Sequence, residues 1–204
     1  MAGMIMRRRL LVLTLLAPVA ALAQTPPTAP VTALDEGILA VMRAAHTTTL
    51  AQRVQMFTPI AQSAFDLPRI LRESVGPRFA SFAPSVQADL LDVFIQFTVA
   101  SYVANFDDYS GERFELLPET RPVGSDVVVQ TRLVPAKGDP VKLDYVVHRD
   151  NDDWKIIDVL LDGSISRVAV QRSDFRSLLS NGDAGPLIAS LRGKVARLAA
   201  GQRD

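Results

Sequence analysis

The segment that decides the fold is SDVVVQTRLVPAKGDPVKLDYVVHRDNDDWKIIDVLLDGSISR, residues Ser125–Arg167. Three of its runs are rich in Val, Ile, Leu, Tyr and Trp, residue types that suit a pleated, half-buried surface. They predict strands over Val127–Val134, Val141–Arg149 and Trp154–Leu161. The first turn carries Pro and Gly and the second carries Asp and Asn. Because both turns are short, the three strands are predicted to be antiparallel neighbours.

The predicted strands differ in how their two faces are composed. Along the second strand, apolar and polar residues alternate, which gives one dry and one wet face. The third strand is apolar on both sides, apart from Lys155 and Asp158. An antiparallel sheet with one apolar face has to bury that face against helices. The sheet is therefore predicted to carry a layer of helices.

The rest of the chain supplies those helices. Apolar residues at helical spacing, with Pro, Gly and Asp at the boundaries, predict helical segments before and after the strands in the sequence. Pro59 should kink or divide the second helix. The chain is thus predicted to be α+β, with a helical N-terminal part, a four-stranded antiparallel sheet, and C-terminal helices packed on one face. The predicted helices are Val31–His46, Leu50–Phe65, Leu67–Val75, Pro84–Tyr109, Ser166–Ser180 and Pro186–Ala200, and the fourth strand is Glu112–Leu117.

The long helix, Pro84–Tyr109, is apolar nearly all round. It has no charged residue between Val93 and Phe106, whereas a surface helix shows a single apolar stripe. The pattern indicates apolar neighbours on more than one side. Periodicity alone leaves two alternatives open, a solid core around a buried central helix or a cavity lined by this helix and the sheet.

The N-terminus has the features of a secretory signal. Three arginines, Arg7–Arg9, precede the apolar run Leu10–Ala20, and the small-residue site Ala21–Ala23 follows. Cleavage is predicted after Ala23, and the Pro-rich run Thr25–Pro30 is predicted to be a tether outside any packed element. The predicted organisation is a signal peptide over 1–23, a tether over 24–30 and a single domain over 31–200.

Composition narrows the classes of function. The chain has 22 basic and 22 acidic residues. Removing three arginines with the signal leaves 19 against 22, a net charge of about −3. A weakly acidic chain without a basic, aromatic-rich patch is a poor nucleic-acid binder. It contains no Cys, so the fold has to depend on its core.

Catalytic constellations are scarce in this sequence. The two histidines, His46 and His148, lie far apart, and no zinc-ligand spacing, phosphate-binding Gly loop or nucleophile elbow occurs. Asp144 and Tyr145 are adjacent on a strand, so their side chains should point to opposite faces. We predict a non-enzymatic protein without metal or cofactor. The alternatives are an enzyme of the cone-shaped NTF2-like type using a buried acid, with Glu115, Asp144 and Asp158 as the strand candidates, or an interaction module with a solid core.

Several segments resemble one family. They are FDLPRI at Phe65–Ile70, the helix end at Phe97–Pro118, the pattern DYVVHRDNDDWKIIDVLLDG at Asp144–Gly163, and RSDFRSLL at Arg172–Leu179. This chain resembles the MlaC or toluene-tolerance (Ttg2D) family over roughly Val31–Ala200. Members are soluble periplasmic phospholipid-binding proteins of the outer-membrane lipid-asymmetry transport system.

One departure from the family pattern concerns the ligand. The family usually has Val-Ser after its acidic-Gly pair, whereas this chain continues Gly163-Ser164-Ile165-Ser166. In this respect it resembles the hopanoid-associated HpnM subgroup. That resemblance implies a hopanoid or another polycyclic lipid instead of, or alongside, a diacyl phospholipid.

The resemblance implies a cone-like fold with a lipid cavity between the sheet and the helices. It further implies a shuttle that carries its cargo between an inner-membrane ABC-type lipid transporter and an outer-membrane lipid complex, in the periplasm. By position it implies cavity roles for Tyr102, Tyr145, Val147, Ile157, Val159 and Leu161. The residue pattern adds Phe94, Phe97, Val103, Phe106, Phe175 and Leu178.

Overall fold

The computed structural model describes residues 25–151, 153–179 and 182–202. The predicted signal peptide and its cleavage site lie outside these residues. Within them the elements, in chain order, are α1 (Ala29–Arg43), α2 (Leu50–Ala64), α3 (Leu67–Val75), a short 3₁₀ helix (Pro77–Ser81), α4 (Pro84–Asn105), β1 (Arg113–Val123), β2 (Asp126–Val134), β3 (Val141–Asp150), β4 (Asp153–Leu161), β5 (Ile165–Ser166), α5 (Arg167–Leu178) and α6 (Gly185–Ala199). In this part of the chain, no helix combines the length and hydrophobicity needed to cross a bilayer.

The strands form one antiparallel sheet in the order β1-β2-β3-β4-β5. Tyr145 in β3 lies between Val129 in β2 and Val159 in β4. Val129 and Tyr145 are almost fully buried, because the helices cover this face. The α+β class and the three central strands are confirmed.

The edges of the sheet differ from the prediction. The outer strand β1 extends to Val123, well beyond the predicted end at Leu117, and β5 makes the sheet five-stranded instead of four-stranded. Prolines such as those at 118 and 122 are usual in linkers, but an edge strand tolerates Pro because one row of its N–H groups is unpaired. The register of β1 shifts between Leu116 and Thr120, the stretch that contains Pro118. With two residues, β5 is too short to show a pattern.

The N-terminal helices also correct two boundaries. Helix α1 begins at Ala29 and buries Pro30, so the segment predicted as a tether already belongs to a packed element at its end. Helix α2 is one element and is not divided at Pro59. Pro59 lies on the exposed side, where the carbonyl group of Gln55 that loses its partner can meet water. A capping box between Thr49 and Gln52 starts this helix.

The junction of α2 and α3 is attached to the sheet. The backbone N–H of Asp66 donates to the Ile156 carbonyl of β4 at 2.9 Å. The Asp66 carboxylate then caps α3 by accepting from the N–H of Arg69 at 2.9 Å, with Pro68 in the first turn. This connection holds Phe65 and Leu67 beside β4.

Helix α4 ends at Asn105, four residues earlier than predicted, because Phe106 leaves the helical conformation. It packs mainly against α6 and α2 and approaches the sheet much less closely. This difference leaves room on its sheet-facing side. The C-terminal helices α5 and α6 end within two residues of their predicted limits.

Candidate binding cavity

An open cavity lies between α4 and the sheet, with α3 and α5 along its side. It has two lobes that share Ser101, Tyr102, Val159 and Arg167. Counted out to its open mouth, the first lobe has an empty volume of about 520 Å³ and the second about 720 Å³.

The two lobes are lined mainly by apolar side chains. The first reaches toward α3 and α5, and the second runs along β3 and β4. Beyond the four shared residues, the first lobe is lined by Phe65, Leu67, Ile70, Phe94, Phe97, Thr98, Asp158, Val168 and Gln171. The second is lined by Asn105, Phe106, Leu143, Tyr145 and Leu161.

Tyr102 is the centre of an aromatic cluster at the junction of the lobes. Its ring centroid lies 5.4 Å from that of Phe57, 5.7 Å from Phe65 and 6.0 Å from Phe106. These separations are those of favourable aromatic pairs. Desolvation raises the pKa of Tyr102 above its usual value, so the phenol remains neutral. The cluster therefore provides a rigid apolar wall.

Some of the residues predicted to line a cavity do line the two lobes. These are Phe94, Phe97, Tyr102, Phe106, Tyr145, Val159 and Leu161. Val103 lies instead at a small gap against α1 and α2. Phe175 contacts Phe94 edge-on at 6.5 Å from behind. Val147, Ile157 and Leu178 also lie outside the lining of the two lobes.

Sequence reasoning missed part of the wall. Phe65, Leu67 and Ile70 belong to the FDLPRI segment, which stood out in the resemblance without a role being assigned to it. Ser101 lines both lobes. Its place in the stripe Leu90, Phe94, Phe97 and Ser101 was a usable signal, since residues at this spacing share one helix face.

The predicted strand acids are placed as follows. Asp144 is buried next to Lys142, with 3.4 Å between carboxylate oxygen and ammonium nitrogen, and it lines neither lobe. Glu115 pairs with Arg132 and Arg113. Asp158 lines the first lobe, but its carboxylate accepts from Ser166, from the Val168 N–H and from its neighbour Val159 N–H. Alternation along β3 separates Asp144 from Tyr145, as predicted.

A different acid, Asp35 of α1, lies behind the second lobe. Its carboxylate accepts from the Tyr145 hydroxyl at 3.3 Å and is buried. Burial raises its pKa to about 7, and the hydrogen bond from Tyr145 offsets only part of that rise. Burial likewise raises the pKa of Tyr145 well above its ordinary value. No local pattern marks Asp35, because its partner is 110 residues away.

Arg167 is the single cation in the lining of the two lobes. It is exposed at the start of α5 and makes no hydrogen bond or ion pair with other described residues. Its charge reaches the cavity, since it acts to lower the pKa of Tyr102 against the larger effect of desolvation. A cation in the first turn of a helix is electrostatically unfavourable, so helix stability does not explain its presence.

A long helix facing an antiparallel sheet across an open apolar cavity defines a class of α+β proteins built to enclose a ligand. The model of the MlaC protein family matches residues 33–193 of this chain. The chain therefore belongs to the MlaC family.

One similar solved structure is the phospholipid-binding protein from Ralstonia solanacearum, determined in complex with a phospholipid. The two chains are 23% identical and superpose with a TM-score of 0.75 over 86% of this chain and 99% of that chain. At this identity the similarity establishes the fold. A comparison with curated proteins gives no match.

Proposed function

We propose that this protein is a lipid carrier that encloses acyl chains between α4 and the sheet. The observation that carries the proposal is the apolar two-lobed cavity, in which the charged side chains are Asp158 and Arg167. Asp158 is engaged by three hydrogen-bond donors. The function that we propose is the binding and transfer of lipid.

The energetics suit a carrier. Each buried methylene contributes about 0.8 kcal/mol, so a lipid tail in an apolar cavity is strongly favoured over a tail in water. A bilayer removes the same tail from water with a similar gain in free energy. Transfer between the membrane and this cavity is therefore close to neutral, which lets the protein both load and release.

Phospholipid is the ligand class that we propose first. Arg167 lies at both lobes without a carboxylate partner, and a guanidinium is well suited to a phosphate group. The resemblance to the HpnM subgroup supports a hopanoid as the competing ligand. An uncharged polycyclic lipid would leave Arg167 without a role.

The proposed setting is the periplasm. The signal-like N-terminus at residues 1–23 and the membership in the MlaC family support this location. There the protein would receive its cargo at one membrane transport complex and release it at another. An inner-membrane lipid transporter and an outer-membrane lipid complex are the partners that the family resemblance suggests.

Mass spectrometry of the organic extract from protein purified without detergent tests the proposal. We expect co-purifying phospholipid in the wild type. Ser101→Trp should reduce lipid occupancy severalfold, because Ser101 is a small residue lining both lobes and an indole there fills them. Ser85→Trp is the matched control, since Ser85 is exposed near the start of the same helix.

Two results would contradict the proposal. One is wild-type protein that carries no lipid and extracts none from phospholipid vesicles. The other is Ser101→Trp protein that folds and retains wild-type lipid content. A hopanoid in the extract would keep the carrier function and change the ligand class.

A further inference from the structure

Three arginines converge on a second concavity, which we name the arginine pocket. Its walls are Arg78 of the 3₁₀ helix and Arg172 and Arg176 of α5, together with Val75, Gly76, Pro77 and Leu179. Its empty volume is about 660 Å³ out to the open side. None of the residues in this lining is acidic. Three positive charges are thus brought together in one concavity.

Backbone carbonyl groups hold two of these side chains. The Arg172 guanidinium donates two hydrogen bonds to the Glu73 carbonyl, at 2.8 and 2.5 Å. Arg78 donates to the Leu179 carbonyl. Both carbonyls lie at or near helix ends, where cations are favourable. A carbonyl orients a guanidinium without neutralising it, so both charges remain available.

The third arginine, Arg176, is not held by a backbone carbonyl group. Arg176 is exposed, and its side chain makes no hydrogen bond or ion pair in the described part of the chain. The nearby Glu73 carboxylate is bound to Arg69 at 2.8 Å. Asp174 lies on the same helix but is not part of the lining. The unpaired charge of Arg176 therefore adds to those of the two oriented guanidinium groups.

The arginine pocket continues the side of the cavity. Helices α3 and α5 pack side by side, and the Ser74 hydroxyl donates a hydrogen bond to the Gln171 side chain at 3.0 Å. The cavity lining includes Leu67 and Ile70 of α3 and Val168 and Gln171 of α5. The arginine pocket is lined by the following residues of the same helices, Val75 of α3 and Arg172 and Arg176 of α5. An anion bound there lies beside the proposed lipid cavity.

We propose that the arginine pocket binds the phosphate group of an anionic phospholipid in a bilayer and holds the α3–α5 side of the protein against the membrane. Guanidinium groups bind phosphate through paired, charge-assisted hydrogen bonds. Residues 24–204 contain 19 basic and 22 acidic residues, so their overall charge does not favour an anionic surface. A local cluster of three arginines attracts such a surface on the α3–α5 side and orients the cavity toward its source of lipid.

Vesicle co-sedimentation of the full mature chain tests the proposal. Vesicles of phosphatidylcholine alone are compared with vesicles that also contain phosphatidylglycerol, at low and at high salt. We expect binding to the anionic vesicles at low salt, weakened by screening at high salt. Arg176→Glu should weaken this binding about thirtyfold, because one charge near an anionic surface is worth about fivefold and the reversal removes two.

Arg121→Glu is the matched control. Arg121 is exposed on β1 and has no side-chain partner among the described residues, so this variant has the same change in net charge at another site. We expect it to bind anionic vesicles within about twofold of the wild type, since its charge lies away from the pocket. Equal weakening by both variants would overturn the pocket as the site.

The remaining outcomes also decide the matter. Absence of wild-type binding to anionic vesicles overturns the proposal, even if the protein captures an acidic protein partner. If inorganic phosphate stabilises the protein against unfolding but the protein does not bind vesicles, the pocket binds a free anion. That result overturns membrane docking. Lipid content by mass spectrometry should be unchanged in Arg176→Glu, and vesicle binding should be unchanged in Ser101→Trp. Failure of docking and failure of the carrier function are thereby distinguished.

Discussion

The two sides of α4 consist of similar residues but have different neighbours. Val103 faces Ile38 and Val41 of α1 and Phe57 of α2 across a gap of about 120 Å³. Ser101, on nearly the opposite side, faces lobes of about 520 and 720 Å³. An apolar helix surface is thus a solid core on one side and a cavity wall on the other. The difference is set by how closely each neighbour approaches.

The largest expected contrast in stability comes from truncating one phenylalanine on each side. Phe57 is 1% exposed, so Phe57→Ala should lower the free energy of unfolding by about 3–5 kcal/mol. Phe97 is half-buried at the first lobe, and Phe97→Ala should cost only about 1 kcal/mol. Urea denaturation measures both values. Equal losses would mean that the cavity side is packed as tightly as the core side.

A pH effect of similar size arises at Asp35, which lies between the solid core and the cavity. Its pKa is about 7 in the folded protein, against 3.8 for an unperturbed aspartic acid, so folding favours the protonated form. This stability is fully present below pH 3.8 and is lost as the pH rises through 7. The loss is on the order of 4 kcal/mol. The groups facing this carboxyl are Tyr145 and, more remotely, Tyr102.

The measurement is a series of urea denaturations of wild type and Asp35→Asn from acid to alkaline pH. The variant should lack the decline between pH 4 and 8 and should exceed wild-type stability at pH 8, because an amide keeps an acceptor for Tyr145 without a charge. Parallel pH profiles for the two proteins would show that Asp35 is ionised at no cost in the native state.

The smallest expected effect on stability is that of Arg167→Ala at the mouth. Removing an exposed cation from the first turn of α5 should change the free energy of unfolding by less than about 0.5 kcal/mol. If Arg167 contacts a phosphate, affinity for phosphatidylglycerol should fall about tenfold while affinity for diacylglycerol is unchanged. Competition binding measures this ratio, with Arg121→Ala as the control. An equal fall in affinity for both lipids would mean that Arg167 affects the shape of the cavity and does not contact the phosphate.

Much of the sheet could be predicted because its signals are local. Alternation along β3 and the short turns on either side of it determine which neighbours pair and which face is buried. The extent of β1 could not be predicted, since Pro118 and Pro122 are usual in linkers and become acceptable in a strand only when that strand is at an edge. Whether a strand lies at the edge depends on the whole sheet.

The cavity was predictable only in outline. Phe97, Tyr102 and Phe106 were found from the apolar excess of α4 and from the family resemblance. Their neighbour Val103 has the same character in sequence but faces the core, because the rotation of α4 is fixed by α6 and α2. Asp35 and Arg167 carry no local signal at all. Their roles arise from contacts across the fold.

The edges of the sheet bear on how the protein behaves at high concentration. The long edge strand β1 exposes Leu116 and Val123, which would favour addition of a strand from another molecule. Its two prolines, its register shift and its exposed charges at Arg113, Glu119 and Arg121 oppose such addition. At the opposite edge, β5 spans two residues and leads directly into α5. Both borders are therefore poor templates for edge-to-edge pairing between copies of this chain.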